Sequence, residues 1–320
     1  MTNSPGESKQ PRPVAVVTGA SSGIGAEFAR QFAARGYDVL LIARREDRLR
    51  AVAQEISTAH GISAEILVAD LAADADRARA AARVAAAENL AVLVNNAGFG
   101  TLGSFEDADI AWQAQMHRLN ILATLDLTHA ALGNFKSQLK TELKKGTDNS
   151  VPLRESLTTP AQPRVDRAAR HPFQPPTRGI INVSSVAGFE QAPFNVGYCA
   201  TKAWINSFTK GLSLELIAEV AEGSPVKVQA LCPGYTQSEF HDVMGIDRRT
   251  IPKVFWMTSQ FVVSESLRGF DRGALFVIPG WHYRWIVRFI RVIPASWMRR
   301  ISIAFARKRR ARAQAFGRRA

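Results

Sequence analysis

Cysteine is nearly absent from the 320 residues: Cys199 and Cys232 stand far apart with no metal-ligand spacing around them. Neither a disulfide framework nor a zinc site is expected. No apolar run reaches the roughly 18–20 residues that a membrane-spanning helix requires. The first dozen residues are polar, lack the apolar stretch of a secretory signal and read as a disordered leader, 1–12. These absences point to a soluble chain of the cytoplasm. Acidic residues are missing where the basic ones gather, because 281–320 holds twelve Arg or Lys and no Asp or Glu. The whole chain has 41 basic and 28 acidic residues, so 1–280 keeps 29 and 28 and is close to neutral. The net charge of +13 thus belongs to the tail.

Hydrophobic residues make up 46% of the chain, enough for one sizeable core over 13–280. Val14–Val17 is a short apolar run that ends in a glycine-rich turn, which suits a buried parallel strand. Ile24–Arg35 has helical spacing through Phe28 and Phe32, with Gly36 where a helix-ending glycine belongs. Asp38–Ile42 reads as a strand, Arg44–Ala59 as a charged helix, and Ile66–Asp70 as the end of a third strand. Ala91–Val94, Ile180–Val183, Val226–Leu231 and Ala274–Ile278 are further short apolar runs between helical stretches. Strands alternating with helices imply a Rossmann-like, doubly wound α/β fold. Gly133–Arg178 breaks the rhythm with Lys, Arg and proline, and reads as a surface insertion.

The turn Thr18-Gly19-Ala20-Ser21-Ser22-Gly23-Ile24-Gly25 lies directly between the first strand and the first helix. Glycines there allow a tight turn and a close approach of backbone to a pyrophosphate seated on the helix N-terminus. At the end of the second strand, many NAD sites carry an acid for the ribose 2′-hydroxyl, whereas an arginine accommodates a 2′-phosphate. Here Ile42-Ala43-Arg44-Arg45 has no acid, so Arg44 points to NADP(H) and disfavours NAD(H).

Thr18–Gly25, Asn95–Gly98 and Ser185 with Tyr198-Cys199-Ala200-Thr201-Lys202 together resemble the short-chain dehydrogenase/reductase family over about 13–280. The resemblance implies adenine contact at Asp70 and cofactor support from Asn96, Ala97 and Gly98. It also implies that Pro233, Gly234, Thr236 and Ser238 hold the nicotinamide carboxamide. Hydride addition to a carbonyl leaves an alkoxide, which a tyrosine can polarise and protonate, although its ordinary pKa is about 10. A nearby cation stabilises the phenolate, and Lys202 stands four residues after Tyr198, on the same helical face. By resemblance, Lys202 also bonds the nicotinamide ribose, Ser185 steadies the carbonyl oxygen, and Asn120 holds a water in a proton relay. Ala91 stands where the family often has an aspartate.

The expected activity is NADP(H)-dependent interconversion of a carbonyl and its alcohol, with Tyr198 as the acid/base. Phe189, Pro193, Phe194, Phe240 and the tail would line the approach of an apolar substrate. A homo-oligomer is the expected assembly. In the tail, Trp285, Phe289 and Val292 recur at helical spacing beside Arg284, Arg288 and Arg291. A basic amphipathic helix of this kind suits an anionic membrane interface, a second subunit or the substrate cleft. Nucleic acid is disfavoured, because no reading module is evident. The rival from another class is a non-catalytic dinucleotide-binding protein tethered to a membrane or partner by the tail.

Overall fold

The computed structural model describes residues 11–148, 178–219, 226–240, 251–294, 296–304 and 307. Residues 1–10 of the expected leader, 149–177 of the expected insertion and 308–320 of the tail lie outside the described residues. Pro11 and Arg12, expected in the leader, are placed: Arg12 donates to the Gly61 carbonyl and lies 3.7 Å from Asp38.

Seven strands form one sheet with every pairing parallel. They are β1 (Val14–Thr18), β2 (Asp38–Ala43), β3 (Ala64–Val68), β4 (Leu90–Asn95), β5 (Arg178–Val183), β6 (Val226–Leu231) and β9 (Phe276–Val277). Their order is β3-β2-β1-β4-β5-β6-β9, while β7 (Thr236–Gln237) pairs only with β8 (Met257–Thr258). The order reverses between β1 and β4, so the chain leaves a crevice at their carboxyl ends. This is the Rossmann-like fold expected from the alternation of strands and helices.

Alternate side chains of each strand enter opposite layers. Ala15, Val17 and Leu41 face Phe28 and Phe32 of α1 (Gly23–Ala34), Leu49 and Ile56 of α2 (Glu46–His60) and Val262, Val263 and Leu267 of the helix Ser259–Asp271. Val16, Leu40 and Leu93 face Val84 of α3 (Asp74–Ala85) and the helices that lead to and from β5. Between β4 and β5 come α4 (Ile110–His117), a π-helical turn (Arg118–Leu122) and α5 (Ala123–Asp148). α6 (Val196–Glu219) leads to β6, α7 (Ser259–Asp271) follows β8, and α8 (Trp281–Val292) follows β9. No described helix is long and apolar enough to cross a membrane.

The break expected at Gly133 is corrected in part: α5 continues through it to Asp148. Leu127, Ala131 and Phe135 recur at four-residue spacing and are buried, which extends one helical stripe past the glycine. Asn134 is buried too, and its amide donates to the carbonyls of Val84, Ala85 and Ala87, closing the end of α3. Arg178, expected as the end of the insertion, is the first residue of β5 and pairs with Glu142 of α5.

Candidate active site

The glycine-rich turn is held from behind by β4. Thr18 closes β1, and its hydroxyl accepts from the amides of Asn96 and Ala97 at 2.9 Å each. Asn96 Nδ2 returns a bond to the Thr18 carbonyl at 2.9 Å. Gly19 has φ +65°, where a side chain would be strained, and a Cβ on Gly25 would lie 2.3 Å from the Gly19 carbonyl oxygen. The turn therefore stays flat against α1. Ser22 caps α1 with extended backbone (φ −167°), but its hydroxyl does not cap the helix. Arg45 takes it instead, donating to Ser22 Oγ at 2.8 Å and to Ser21 Oγ at 2.9 Å. Arg44, exposed beside it, is not the arginine that reaches the turn. Glu239 completes the cluster, 2.7 Å from Arg45 and bonded to Arg48, which together hold its carboxyl down at about 2.

At the end of β3, Asp70 accepts from the Ala72 amide at 3.1 Å and its own amide donates to Asp76, so its carboxylate shapes the turn. Asn120 sits in the π-helical turn, a distortion that often marks functional sites. Its Nδ2 donates to the Phe99 carbonyl at 2.9 Å and to Thr201 Oγ1 at 3.1 Å, and its Oδ1 accepts from the Phe99 amide. A Cβ on Gly98 would lie 2.8 Å from that Oδ1, so Asn120 ties the Asn96–Gly98 turn to the helix carrying Tyr198 and Lys202. Ala97 belongs to the same turn, which its amide ties to Thr18 at the end of β1.

Ser185 follows β5; its hydroxyl accepts from the Ala187 amide at 3.1 Å and lies beside the Tyr198 phenol. Lys202 Nζ lies 5.7 Å from the Tyr198 ring centre and donates to the Val183 carbonyl at 2.8 Å. Both groups are buried. Burial pushes the phenol of Tyr198 above its ordinary value, with the Ser185 hydroxyl opposing, and pushes Lys202 down to about 8. The expected lowering of the Tyr198 pKa by Lys202 is therefore not what this geometry gives: desolvation is the largest influence on the phenol. Tyr198 is held as a phenol.

Cys199 and Cys232 are buried; the Cys232 thiol donates to Asn206 Oδ1 at 3.4 Å, and burial pushes it up to about 12. Beyond β6, the segment Pro233–Ser238 runs across the mouth of the site. The Pro233 carbonyl accepts from the Val186 amide at 3.0 Å, Thr236 Oγ1 donates to the Gly234 carbonyl at 3.1 Å, and Ser238 Oγ to the Thr236 carbonyl. Ser238 also packs on the turn, its Cβ 3.0 Å from where Gly23 would carry one. The Tyr198 ring packs on Phe240 at 5.7 Å and clusters with Phe99 and Met116, giving the cleft an apolar wall. Pro193 and Phe194 are half-buried at the same mouth, and Phe194 adopts φ +66°. Phe189 faces elsewhere, toward Phe276 and under Arg291 at 4.9 Å.

The fold thus brings together Ser185, Tyr198, Lys202 and Asn120 at the carboxyl ends of β4 and β5, next to the turn that carries Gly19, Ser21, Ser22, Gly23, Ile24 and Gly25. Three contributors escape the sequence reading. Arg45 and Glu239 are 194 residues apart and meet only through the fold. Tyr283 was hidden in the tail, yet it is buried and its hydroxyl accepts from the Tyr235 amide at 3.0 Å and donates to the Phe255 carbonyl at 2.8 Å.

The family model described as short chain dehydrogenase matches residues 13–143 and 173–248 and passes over 144–172. A short chain dehydrogenase of Pseudocercospora fijiensis is 33% identical over 231 residues, 70% of this chain. The match spans only 60% of that relative's own length. Among solved structures, a short-chain dehydrogenase from Sphingobium yanoikuyae in complex with NADPH is 31% identical, with a TM-score of 0.68, covering 88% of this chain and 97% of that one. A bulky-bulky ketone specific alcohol dehydrogenase from Comamonas testosteroni is 27% identical, with a TM-score of 0.64, covering 88% and 95%. With the family model spanning more than half of its length, glycine-rich turn and Tyr198 included, the chain belongs to the short chain dehydrogenase family of oxidoreductases.

Proposed function

We propose that the protein is an NADP(H)-dependent reductase of apolar ketones or aldehydes, with Tyr198 as the proton donor. The observation that carries this reading is the cluster in which the half-buried Ser185 hydroxyl lies beside the buried Tyr198 phenol and Lys202 lies 5.7 Å from its ring. The residues at the crevice fit a dinucleotide: a turn bare of side chains at Gly19, Gly23 and Gly25, a helix N-terminus whose cap hydroxyl is committed elsewhere, and a guanidinium on two serines. Arg45 would meet the 2′-phosphate, and Thr236 and Ser238 the carboxamide. When bound, the cofactor supplies a hydride to the carbonyl carbon.

The chain's own groups do the rest. Ser185 and Tyr198 donate to the carbonyl oxygen, which lowers the energy of the negative charge that develops there. Tyr198 then transfers its proton to that oxygen. Lys202, charged below about 8, steadies the phenolate left behind. Phe99, Met116 and Phe240 exclude water from the reacting carbon. The support for an apolar substrate is this wall. A panel of carbonyl compounds followed by NADPH absorbance tests the reading, and turnover of polar sugars alone would overturn it.

A second observation favours a place of action at an anionic lipid surface. α8 docks through buried Tyr283 and Val287, and turns Trp281, Trp285, Phe289 and Val292 outward, each between 64% and 73% exposed. Trp297 and Ile301 continue the apolar surface, and Arg288, Arg299 and Arg300 have no ion-pair partner among the described residues. A second copy would set this acid-free, basic surface against its like, which charge repulsion opposes, whereas anionic headgroups complement it. Vesicles of phosphatidylserine and phosphatidylcholine should sediment the protein, phosphatidylcholine alone far less, and Trp285→Ser with Phe289→Ser should release it. A dimer that buries this face, with no vesicle binding, would overturn this reading.

A further inference from the structure

Glu239 stands just past Ser238, and its carboxylate bridges two guanidinium groups: Oε2 accepts from Arg45 Nη1 at 2.7 Å and Oε1 from Arg48 Nη1. The same Arg45 donates through Nη2 to Ser21 and Ser22. Two guanidinium groups and two serine hydroxyls therefore converge on one small volume between β2 and the N-terminus of α1. The anion among them is a side chain. Arg45 and Glu239 are each 42% exposed and Arg48 47%, and ion pairs this open add little to stability. Their convergence calls for another account than holding the fold. Arg45 first and Arg48 second keep the carboxylate charged throughout the neutral range.

A forked guanidinium beside hydroxyl donors is a donor set matched to a phosphate monoester. A dinucleotide lying on the glycine-rich turn carries its adenosine ribose to the end of β2, where NADP(H) has a phosphate and NAD(H) a hydroxyl. We propose that the Glu239 carboxylate is a resident anion in the 2′-phosphate pocket and sets how strongly the enzyme prefers NADP(H) over NAD(H). This deepens the cofactor reading above and rests on it. With a 2′-hydroxyl in the pocket, the carboxylate keeps both arginines and can accept the hydroxyl's hydrogen bond. A 2′-phosphate takes the Arg45 fork for itself, and two anions at contact distance repel, so the carboxylate must give way. NADP(H) thus binds two arginines against the resistance of Glu239, while NAD(H) meets no such resistance. The sequence alone, with arginines and no acid after β2, indicates a stronger NADP(H) preference than this pocket allows.

Glu239→Gln removes the charge and keeps the size of the side chain on an open surface, where a thermal melt checks that the fold is intact. Calorimetric titration with 2′,5′-ADP and with 5′-AMP isolates the 2′-phosphate from the rest of the cofactor. The variant should bind 2′,5′-ADP about tenfold more tightly while 5′-AMP stays within about twofold, the scale of one like charge removed at a few ångströms in water. NADPH should follow 2′,5′-ADP in fluorescence titration, and NADH should bind equally or more weakly. Arg45→Ala should erase most of the advantage of 2′,5′-ADP over 5′-AMP. If Glu239→Gln binds 2′,5′-ADP no better than the native protein, Glu239 is not a competing anion and the inference falls. Failure of the native protein to bind 5′-AMP, NADPH and NADH alike would instead overturn the cofactor reading itself.

Discussion

Tyr283 occupies the space that a side chain at Gly234 would need: a Cβ there would fall 2.0 Å from its ring. The same phenol bonds the Tyr235 amide and the Phe255 carbonyl, so α8 is bolted to the segment that crosses the mouth of the site. Burial pushes the Tyr283 phenol up to about 12, which keeps it protonated and able to donate. The tail helix is thereby part of the catalytic body, and its exposed apolar face is held in a fixed position relative to Thr236 and Ser238.

Tyr283→Phe keeps the packing and leaves the Tyr235 amide and the Phe255 carbonyl without this partner. We expect a loss of about 1–3 kcal/mol in a denaturant melt, the cost of unmet buried hydrogen bonds. NADPH affinity should drop as the Pro233–Ser238 segment loosens. A variant with native stability and native affinity would show that the bolt is decorative.

Gly25→Ala tests the flatness of the turn. Its Cβ would sit 2.3 Å from the Gly19 carbonyl oxygen and 2.5 Å from Asn96 Nδ2, both of which are fixed by β4. The backbone has to shift, at a cost of about 1–3 kcal/mol. Cofactor binding should fall by at least about tenfold, the equivalent of 1.4 kcal/mol. Dinucleotide titration decides it, and unchanged affinity would remove the turn from the cofactor site.

The pH dependence has a definite sign. Carbonyl reduction needs Tyr198 protonated, and burial holds it so well beyond its ordinary value. It also needs Lys202 charged, and burial brings that group down to about 8. Reductive kcat/KM should therefore stay level through neutral pH and fall as Lys202 loses its proton above about 8. Alcohol oxidation, which requires the phenolate beside a charged Lys202, should rise with pH up to about 8 and level off beyond it. A reductive rate that climbs steadily to pH 10 would contradict these assignments.

The sheet could be read from the chain because β1, β2, β4, β5 and β6 are short apolar runs punctuated by turns, and buried parallel strands demand that pattern. Ser185, Tyr198 and Lys202 were legible because their spacings are local. The far half of α5 was not, since past Gly133 only Phe135 and its neighbours on one stripe face the core while Lys136 and Lys140 face water. Arg44 and Arg45 are adjacent, and composition cannot say which one bends back to Ser21 and Ser22; the turn into α2, with Arg45 as its cap, decides that. In the tail, the conspicuous stripe Trp285–Phe289–Val292 faces out, whereas the less conspicuous pair Tyr283 and Val287 docks. Amphipathicity marks two faces without saying which one the protein body takes.

The most direct test of the account is Tyr198→Phe, assayed with a carbonyl substrate that the native enzyme reduces. The substitution removes one hydroxyl from a buried ring that keeps its contacts with Phe240 and Lys202. The account predicts that NADPH still binds within about threefold of native while turnover falls by about 100-fold or more, the usual worth of a positioned proton donor. Turnover near the native rate, with NADPH bound normally, would contradict it.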